Sequence, residues 1–279
     1  APDRAAIQAA IAARRAGIAD SILVGDAAQI TTLVEENGSK IGDFRVLHCD
    51  QEEACGSEAV RLARRGEADI LMKGHVPSSV LLRAAFDRDH GLRTGRLLSD
   101  VRLYEHPFQP NGFLGITDGG VNPAPTQDQK LELIRNAVTV YHRLGCEQPK
   151  VALLCAYEKP TKAMPHTIEA KNLADLNRRS ELNGCLVDGP LSLDLALIQE
   201  AVTTKGFDSP VAGRAQILVG PTIEVSNILA KALVYFGGLT PGQVVMGAKV
   251  PLLIPSRADS AEAKLNSVAL AAVVAGAAR

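Results

Sequence analysis

The sequence predicts an α/β protein of two lobes, each built on a mostly parallel sheet. Short apolar runs alternate with helical stretches through the first third of the chain. The middle breaks into extended pieces punctuated by Pro107, Pro110 and Asn111-Gly112. The strand-helix alternation then resumes to the end. Strands alternating with helices of this length argue for βαβ units, and the break marks a change of lobe.

In order, residues 4–16 are Ala-rich and helical, with Gly17 as the stop. Residues 21–24 form a short buried strand, 28–36 a helix closed by Asn37-Gly38, and 44–48 a strand. Residues 52–65 make a long helix with Val60, Leu62 and Ala63 inward, 69–73 a strand, and 78–87 the next helix. Residues 97–104 and 112–117 read as a hairpin-like excursion. Helices follow at 127–144, 167–178, 194–203 and 222–235, with strands at 151–155, 186–187, 216–219, 243–246 and 250–254. A closing helix over 261–275 carries Leu265, Val268, Ala269, Ala272 and Val273 at helical spacing. The first lobe is expected to be discontinuous, 1–95 plus 255–279, with 96–254 as the second.

Composition narrows the function. The 279 residues are 46% hydrophobic and 22% charged with net charge −1, so no broad basic surface for nucleic acid is implied. There is no Trp, and aromatic residues are 4% of the chain, which disfavours stacking platforms for single strands. Cys49, Cys55, Cys146, Cys155 and Cys185 are odd in number and lack metal-ligand spacing, as expected of reduced thiols in a cytoplasmic protein. No apolar run approaches the roughly 18 residues of a membrane span, and no signal peptide is visible, although the chain starts at Ala1 without Met.

Residues 249–267 carry the strongest chemical signal. An apolar strand ends at Pro255; Ser256 and Arg257 follow at the turn into a helix, where Asp259-Ser-Ala-Glu262 has the form of a capping box. A hydroxyl and a guanidinium beside a helix start suit an oxyanion, since the helix offers N–H groups and partial positive charge while Arg can grip two oxygens at once. The same residues also fit an ordinary β-to-α corner with an exposed arginine. Lys73 and Gly74 end a parallel strand, where ligands of open α/β sheets collect. His75 alone reads more readily as a satisfied or exposed side chain. Arg83, Arg93 and Arg96 join Lys73 and Arg257 as an anion-binding set, of which two or three are expected at a site. Asp188-Gly189-Pro190 and Gly220-Pro221 read as strand-end turns of the second lobe; Glu224, Ser226 and Asn227 open the helix after the latter. Dinucleotide, P-loop and nucleophile-elbow fingerprints are missing.

Five segments in register, Ala68-Asp-Ile-Leu-Met-Lys-Gly74, Gly91-Leu-Arg-Thr-Gly95, Asp188-Gly-Pro-Leu191, Ser209-Pro-Val-Ala-Gly213 and Ser256-Arg-Ala-Asp-Ser260, resemble the phosphate acetyltransferase/phosphate butyryltransferase family. The match runs from about Gly17 to the C-terminus and looks closer to the butyryl branch. The resemblance implies a two-lobed, three-layer α/β fold of the isocitrate/isopropylmalate dehydrogenase type. It implies reversible transfer of a short acyl group between CoA and phosphate. On that resemblance Ser256 is the transition-state-stabilising serine, Arg257 the phosphate-binding arginine, and Arg83 the arginine across the cleft. Lys73, Gly74, Arg93, Thr94, Gly95, Asp188, Gly189, Pro190, Glu224 and Asn227 are the expected substrate and CoA contacts.

Acyl-CoA and phosphate are then the partners, CoA is a substrate, and no tightly bound cofactor or metal is expected. A homodimer acting away from membranes and nucleic acid is expected too. The alternative is a non-catalytic acyl-CoA sensor of the same fold. A metal-dependent dehydrogenase reading lacks its acidic ligand cluster.

Three departures from the family pattern stand out. Acetyl-type members carry Asp seven residues after the serine; here that position is Ala263, with Asp259 and Glu262 nearby but out of register. Ser226 stands where the family has Gly before Asn227. Members open with a strand before the first helix, whereas this chain opens at the helix, so the first lobe's sheet is expected to be a strand short or the sequence trimmed.

Overall fold

The computed structural model describes residues 3–256 and 258–276. The chain divides into two compact units, Ala1–Arg96 with Gly242–Arg279 and Leu97–Pro241.

Unit one starts with α1 (Arg4–Arg15), β1 (Ile22–Gly25), α2 (Ala27–Glu36), β2 (Arg45–His48), α3 (Glu52–Arg64), β3 (Leu71–Met72) and α4 (Ser78–Ala85). Asp3 caps α1 by accepting the N–H of Ala6 at 2.8 Å, and Arg14 and Arg15 meet the negative end of the helix dipole. Gly17 closes this stretch with φ +67, a left-handed conformation that favours glycine. Ile7 and Ile11 of α1 pack with Ile30 and Val34 of α2 and with Phe44.

Unit two contains β4 (Ser99–Glu105), β5 (Phe113–Thr117), α5 (Gln127–Arg143), β6 (Lys150–Leu154), α6 (Pro165–Arg178), β7 (Leu186–Leu191), α7 (Leu193–Leu197), α8 (Gln199–Lys205), β8 (Ile217–Val219) and α9 (Ile223–Tyr235). The excursion is a hairpin as expected, with β4 antiparallel to β5 and Arg102 opposite Ile116. From β5 the sheet continues in parallel through β8, β6 and β7. Alternation along β5 sets the layers. Leu114 and Ile116 join the core that includes Ala230 of α9, whereas a Cβ on Gly115 would lie 3.0 Å from the Tyr141 ring of α5. Helices therefore cover both faces. β8, central and parallel, is wholly apolar, with Ile217, Leu218 and Val219 exposed by 0, 0 and 2%. Each such side chain contributes about 1.5–3 kcal/mol by burial.

The chain returns to unit one with β9 (Gly242–Met246), β10 (Leu252–Leu253) and α10 (Ala261–Gly276). The return falls at residue 242, not at the 254/255 break expected from the sequence. The cause is pairing: β10 lies parallel to β3 and antiparallel to β9, and α10 packs on β9 and α1. Packing on two sides also shifts the inner face of α10. Ala263, Lys264, Ser267, Val268, Leu270, Ala271 and Val274 are buried; of the five residues expected inward, only Val268 is among them, and Val273 is exposed.

β1 and β2 form a parallel pair separate from the β3–β10–β9 ladder. Between β1 and β3 lies a cavity of about 790 Å³, lined by Ile22, Leu23 and Val24 on one side and Leu71 and Met72 on the other. The sheet of unit one is interrupted there.

Candidate active site

In unit one the parallel ladder aligns the carboxyl ends of β3 and β10. The N–H of Lys73 donates to the Leu253 carbonyl at 2.9 Å. Lys73-Gly74 and Ile254–Ser256 therefore leave the sheet side by side. Lys73 is buried, 5% exposed, while Ser256 is exposed. The Ser256 N–H donates to Asp259 Oδ2 at 2.7 Å, and its Oγ accepts the Ala258 N–H at 3.4 Å. The Ser256 hydroxyl proton has no acceptor among the described residues, so it is available to an oxyanion. Arg257 lies outside the described residues.

Asp259 does not cap α10, contrary to the capping-box expectation. Its carboxylate turns back onto Ser256, and Ser260 takes the cap, its Oγ accepting the Ala263 N–H at 3.1 Å. With the Asp259 carboxylate on the loop, the neighbouring hydroxyl caps the helix. Lys264, 2% exposed, secures the same loop by donating to the Asp259 carbonyl at 2.9 Å. Ala263, where the acetyl branch has an aspartate, is buried in α10.

Arg83 sits exposed in the last turn of α4. Arg93, Thr94 and Gly95 are exposed at the turn between β9 and β10. Arg93 bridges Ala248, and the Thr94 hydroxyl donates to the Gly247 carbonyl. That turn precedes β10, so these three residues lie at the opposite strand end from Ser256.

In unit two, Asp188, Gly189 and Pro190 are not a strand-end turn. They lie within β7 and are all buried. Pro is tolerated there because β7 ends the unit-two sheet and needs no donor on its outer side. A Cβ on Gly189 would come within 2.7 Å of Leu153 Cβ. Asp188 Oδ1 accepts from Arg178 at 2.8 Å and from the Gly189 N–H at 2.9 Å. Gly220 does follow a strand end: its N–H and the Ser226 hydroxyl both donate to the Thr117 carbonyl at 3.1 Å. Ser226 thus ties α9 to β5. Asn227 Nδ2 donates to the Gly119 carbonyl at 2.7 Å. Glu224 is exposed in the first turn of α9. A hydrogen bond from Thr222, with help from its own N–H, holds its carboxyl below the usual range.

The residue that sequence reading missed is Asp118. It follows β5, is 2% exposed, and its carboxylate gathers four donors. Oδ1 accepts the N–H groups of Gly120 and Val121 at 2.8 and 3.0 Å. Oδ2 accepts the Asn122 N–H at 3.0 Å and Asn122 Nδ2. Burial pushes the Asp118 carboxyl up, against the pull of those donors. The signal in the sequence is Asp118-Gly-Gly-Val-Asn122 at a strand end, a string of turn formers. Beneath the loop, Asp100 pairs with Arg102 at 3.0 Å and crowds Gly120, where a Cβ would lie 3.1 Å from Asp100 Oδ2.

The family described as phosphate acetyl/butaryl transferase matches residues 56–272. The chain belongs to that family. The phosphate butyryltransferase of Clostridium acetobutylicum is 39% identical over 276 residues, which cover 99% of this chain and 91% of that protein. The crystal structure of a branched-chain phosphotransacylase from Enterococcus faecalis V583 shares 35% identity and a TM-score of 0.80, covering 91% of this chain and 98% of that one. In fold alone the chain also resembles 4-hydroxythreonine-4-phosphate dehydrogenase from Klebsiella pneumoniae, with a TM-score of 0.59 at 13% identity and coverage of 98% and 95%. The acyltransferase family and the dehydrogenase share one α/β architecture, the fold class expected from the sequence. Among the described residues no group of three or more His, Cys, Asp or Glu could hold a metal ion, and no helix is long and apolar enough to cross a membrane.

Proposed function

We propose that the chain catalyses acyl-CoA + phosphate ⇌ acyl phosphate + CoA for short acyl groups, acetyl to butyryl. A phosphate oxygen attacks the thioester carbonyl. The C–O bond forms, the C–S bond breaks, and the sulfur leaves as CoA thiolate, which takes a proton from water. Ser256 donates its hydroxyl proton to the developing oxyanion, while Arg257 and Arg83 hold the phosphate. Lys73 and Gly74 support the phosphate end. Glu224 and Asn227, which are not buried, contact CoA, whereas the buried Asp188, Gly189 and Pro190 act only through the β7 backbone that Asp188 fixes, and Arg93, Thr94 and Gly95, at the far strand end, hold the β9–β10 turn.

Near-full-length similarity to phosphate acyltransferases carries the reading, and the available Ser256 hydroxyl, just past the strand that pairs with the one leading to Lys73, supports it. Direct attack suits the thiols. Burial pushes Cys155 and Cys185 up to about 11, so both stay protonated at neutral pH and are poor acyl acceptors. In the reverse direction a CoA thiol of pKa about 8.5 is a few per cent thiolate at pH 7, so a dedicated base is dispensable where arginines stabilise the anion. No tightly bound cofactor enters this scheme.

We also propose a cytoplasmic homodimer. Five free cysteines support a reducing compartment. On α9 and its end, Val225, Ile228, Tyr235 and Phe236 are exposed by 42, 67, 68 and 93%, a stripe suited to a second copy. The deciding experiment is thiol release from acetyl-, propionyl- and butyryl-CoA with phosphate or arsenate, for wild type and Arg257→Ala. Turnover by wild type alone is expected. Undiminished turnover by the variant overturns the role of Arg257, and no turnover by wild type with any acyl-CoA returns the chain to the sensor reading. Sedimentation of Phe236→Glu is expected to show monomer where wild type is dimeric.

A further inference from the structure

An ionised carboxylate has about four lone-pair sites and no donor. Asp118 uses all four, on three consecutive main-chain N–H groups and one side-chain amide. Burying a charge is costly unless donors compensate it, and a neutral turn former would close a loop without that cost. The charge instead fixes the direction of every peptide from Gly119 to Asn122. Asn122 Nδ2 also donates to the Leu98 carbonyl at 2.7 Å, tying the loop to the sheet side of the unit.

The fixed loop has an output. The Gly119 carbonyl receives Asn227 Nδ2 at 2.7 Å. With its nitrogen committed, the Asn227 amide keeps Oδ1 as an acceptor, and among the described residues nothing donates to it. Thr117, one residue before Asp118, accepts from Gly220 and Ser226, so strand end, loop and first turns of α9 form one braced unit. We propose that Asp118 is a positioning residue: it holds the Gly119–Asn122 loop so that Asn227 Oδ1 is aimed to accept an amide N–H from the pantetheine arm of acyl-CoA. This rests on the transferase reading above and extends it to residues that never touch the reacting atoms.

The test is Asp118→Asn, which keeps the shape but turns an amide nitrogen toward backbone N–H groups. With the wild type's best acyl-CoA, KM for acyl-CoA is expected to rise about tenfold or more, the size of one lost charge-assisted hydrogen bond. KM for phosphate and kcat are expected to stay within about twofold, a split that general loosening does not give. Asn227→Ala is expected to raise the same KM, and the double variant to add little to it, because both act on one contact. A wild-type KM for acyl-CoA in Asp118→Asn, or full additivity in the double variant, overturns the proposal. If Asp118→Asn does not fold, Asn122→Ala removes one of the four donors; a several-fold rise in the same KM supports the proposal and no change overturns it. A wild-type chain that binds CoA in calorimetry without turnover refutes the transferase reading alone. CoA affinity then decides this one: weakening in Asp118→Asn supports it, and equal affinity overturns it.

Discussion

Two strand-end loops, one in each unit, are each organised by an aspartate, and they do so differently. After β10, Asp259 is half-buried, accepts one amide, and leaves the Ser256 hydroxyl open. After β5, Asp118 is 2% exposed and saturated by four donors. In the first loop Ser256 is exposed. The second spends its whole hydrogen-bonding capacity on shape. Under the roles proposed above, chemistry and positioning call for opposite degrees of burial around the same residue type.

The largest expected effect lies in the open loop. Ser256→Ala should lower kcat by about 10²–10³, the usual cost of an oxyanion donor at about 2.7–4 kcal/mol, while leaving the melting temperature near wild type; steady-state kinetics and calorimetry read the two quantities. A large loss of stability would erase the contrast with the saturated loop.

Next comes Asp118→Ala, which strands four donors in a buried site. A loss of about 3 kcal/mol is expected in denaturant unfolding. The pH dependence sharpens it. Because burial raises the folded-state value of Asp118 above 3.8, the wild-type advantage over Asp118→Asn is greatest below 3.8 and shrinks as pH rises through the raised value. Asp194 should show the opposite sign. A hydrogen bond from Ser192, and then Lys205, lowers its carboxyl from 3.8 to about 2. Its advantage over Asp194→Asn is present above 3.8 and disappears as pH falls through about 2. Melting curves of both variants from pH 2 to 7 compare the two directly, and parallel trends would contradict the assignment.

A smaller effect is expected for Asp259→Asn. Since this carboxylate braces the Ser256 amide, kcat should fall severalfold with the pH–rate profile unchanged, and Glu262→Gln should leave the profile unchanged as well. A shifted profile in either variant would instead make that residue the base for the CoA thiol. The smallest is Ser260→Ala, expected to destabilise by about 1 kcal/mol as an N-cap loss. A neutral result there would return the cap to Asp259.

Much of this was legible in the sequence, because βαβ alternation, the hairpin signalled by Asn111-Gly112, and the Ser256 turn are local patterns. What escaped depends on partners far along the chain. β9 and β10 belong to unit one because β10 pairs with β3, some 180 residues earlier. Asp188-Gly-Pro reads locally as a turn, yet packing against Leu153 keeps it in a strand. Asp118 looks like an ordinary turn former, and its burial comes only with the fold around it. The cap moved from Asp259 to Ser260 because the Ser256 amide competes for the same carboxylate.

The interruption between β1 and β3 has a consequence for how the molecule opens. Among the described residues, the block running from α1 to β2 shares no strand ladder with the rest of unit one, and α1 packs on α10 through side chains. Side-chain packing without a backbone ladder marks a cooperative foldon of low opening free energy. Amide protons of β1 and β2 should therefore exchange sooner than those of β8, and limited proteolysis should make its first cut in the 49–51 connection.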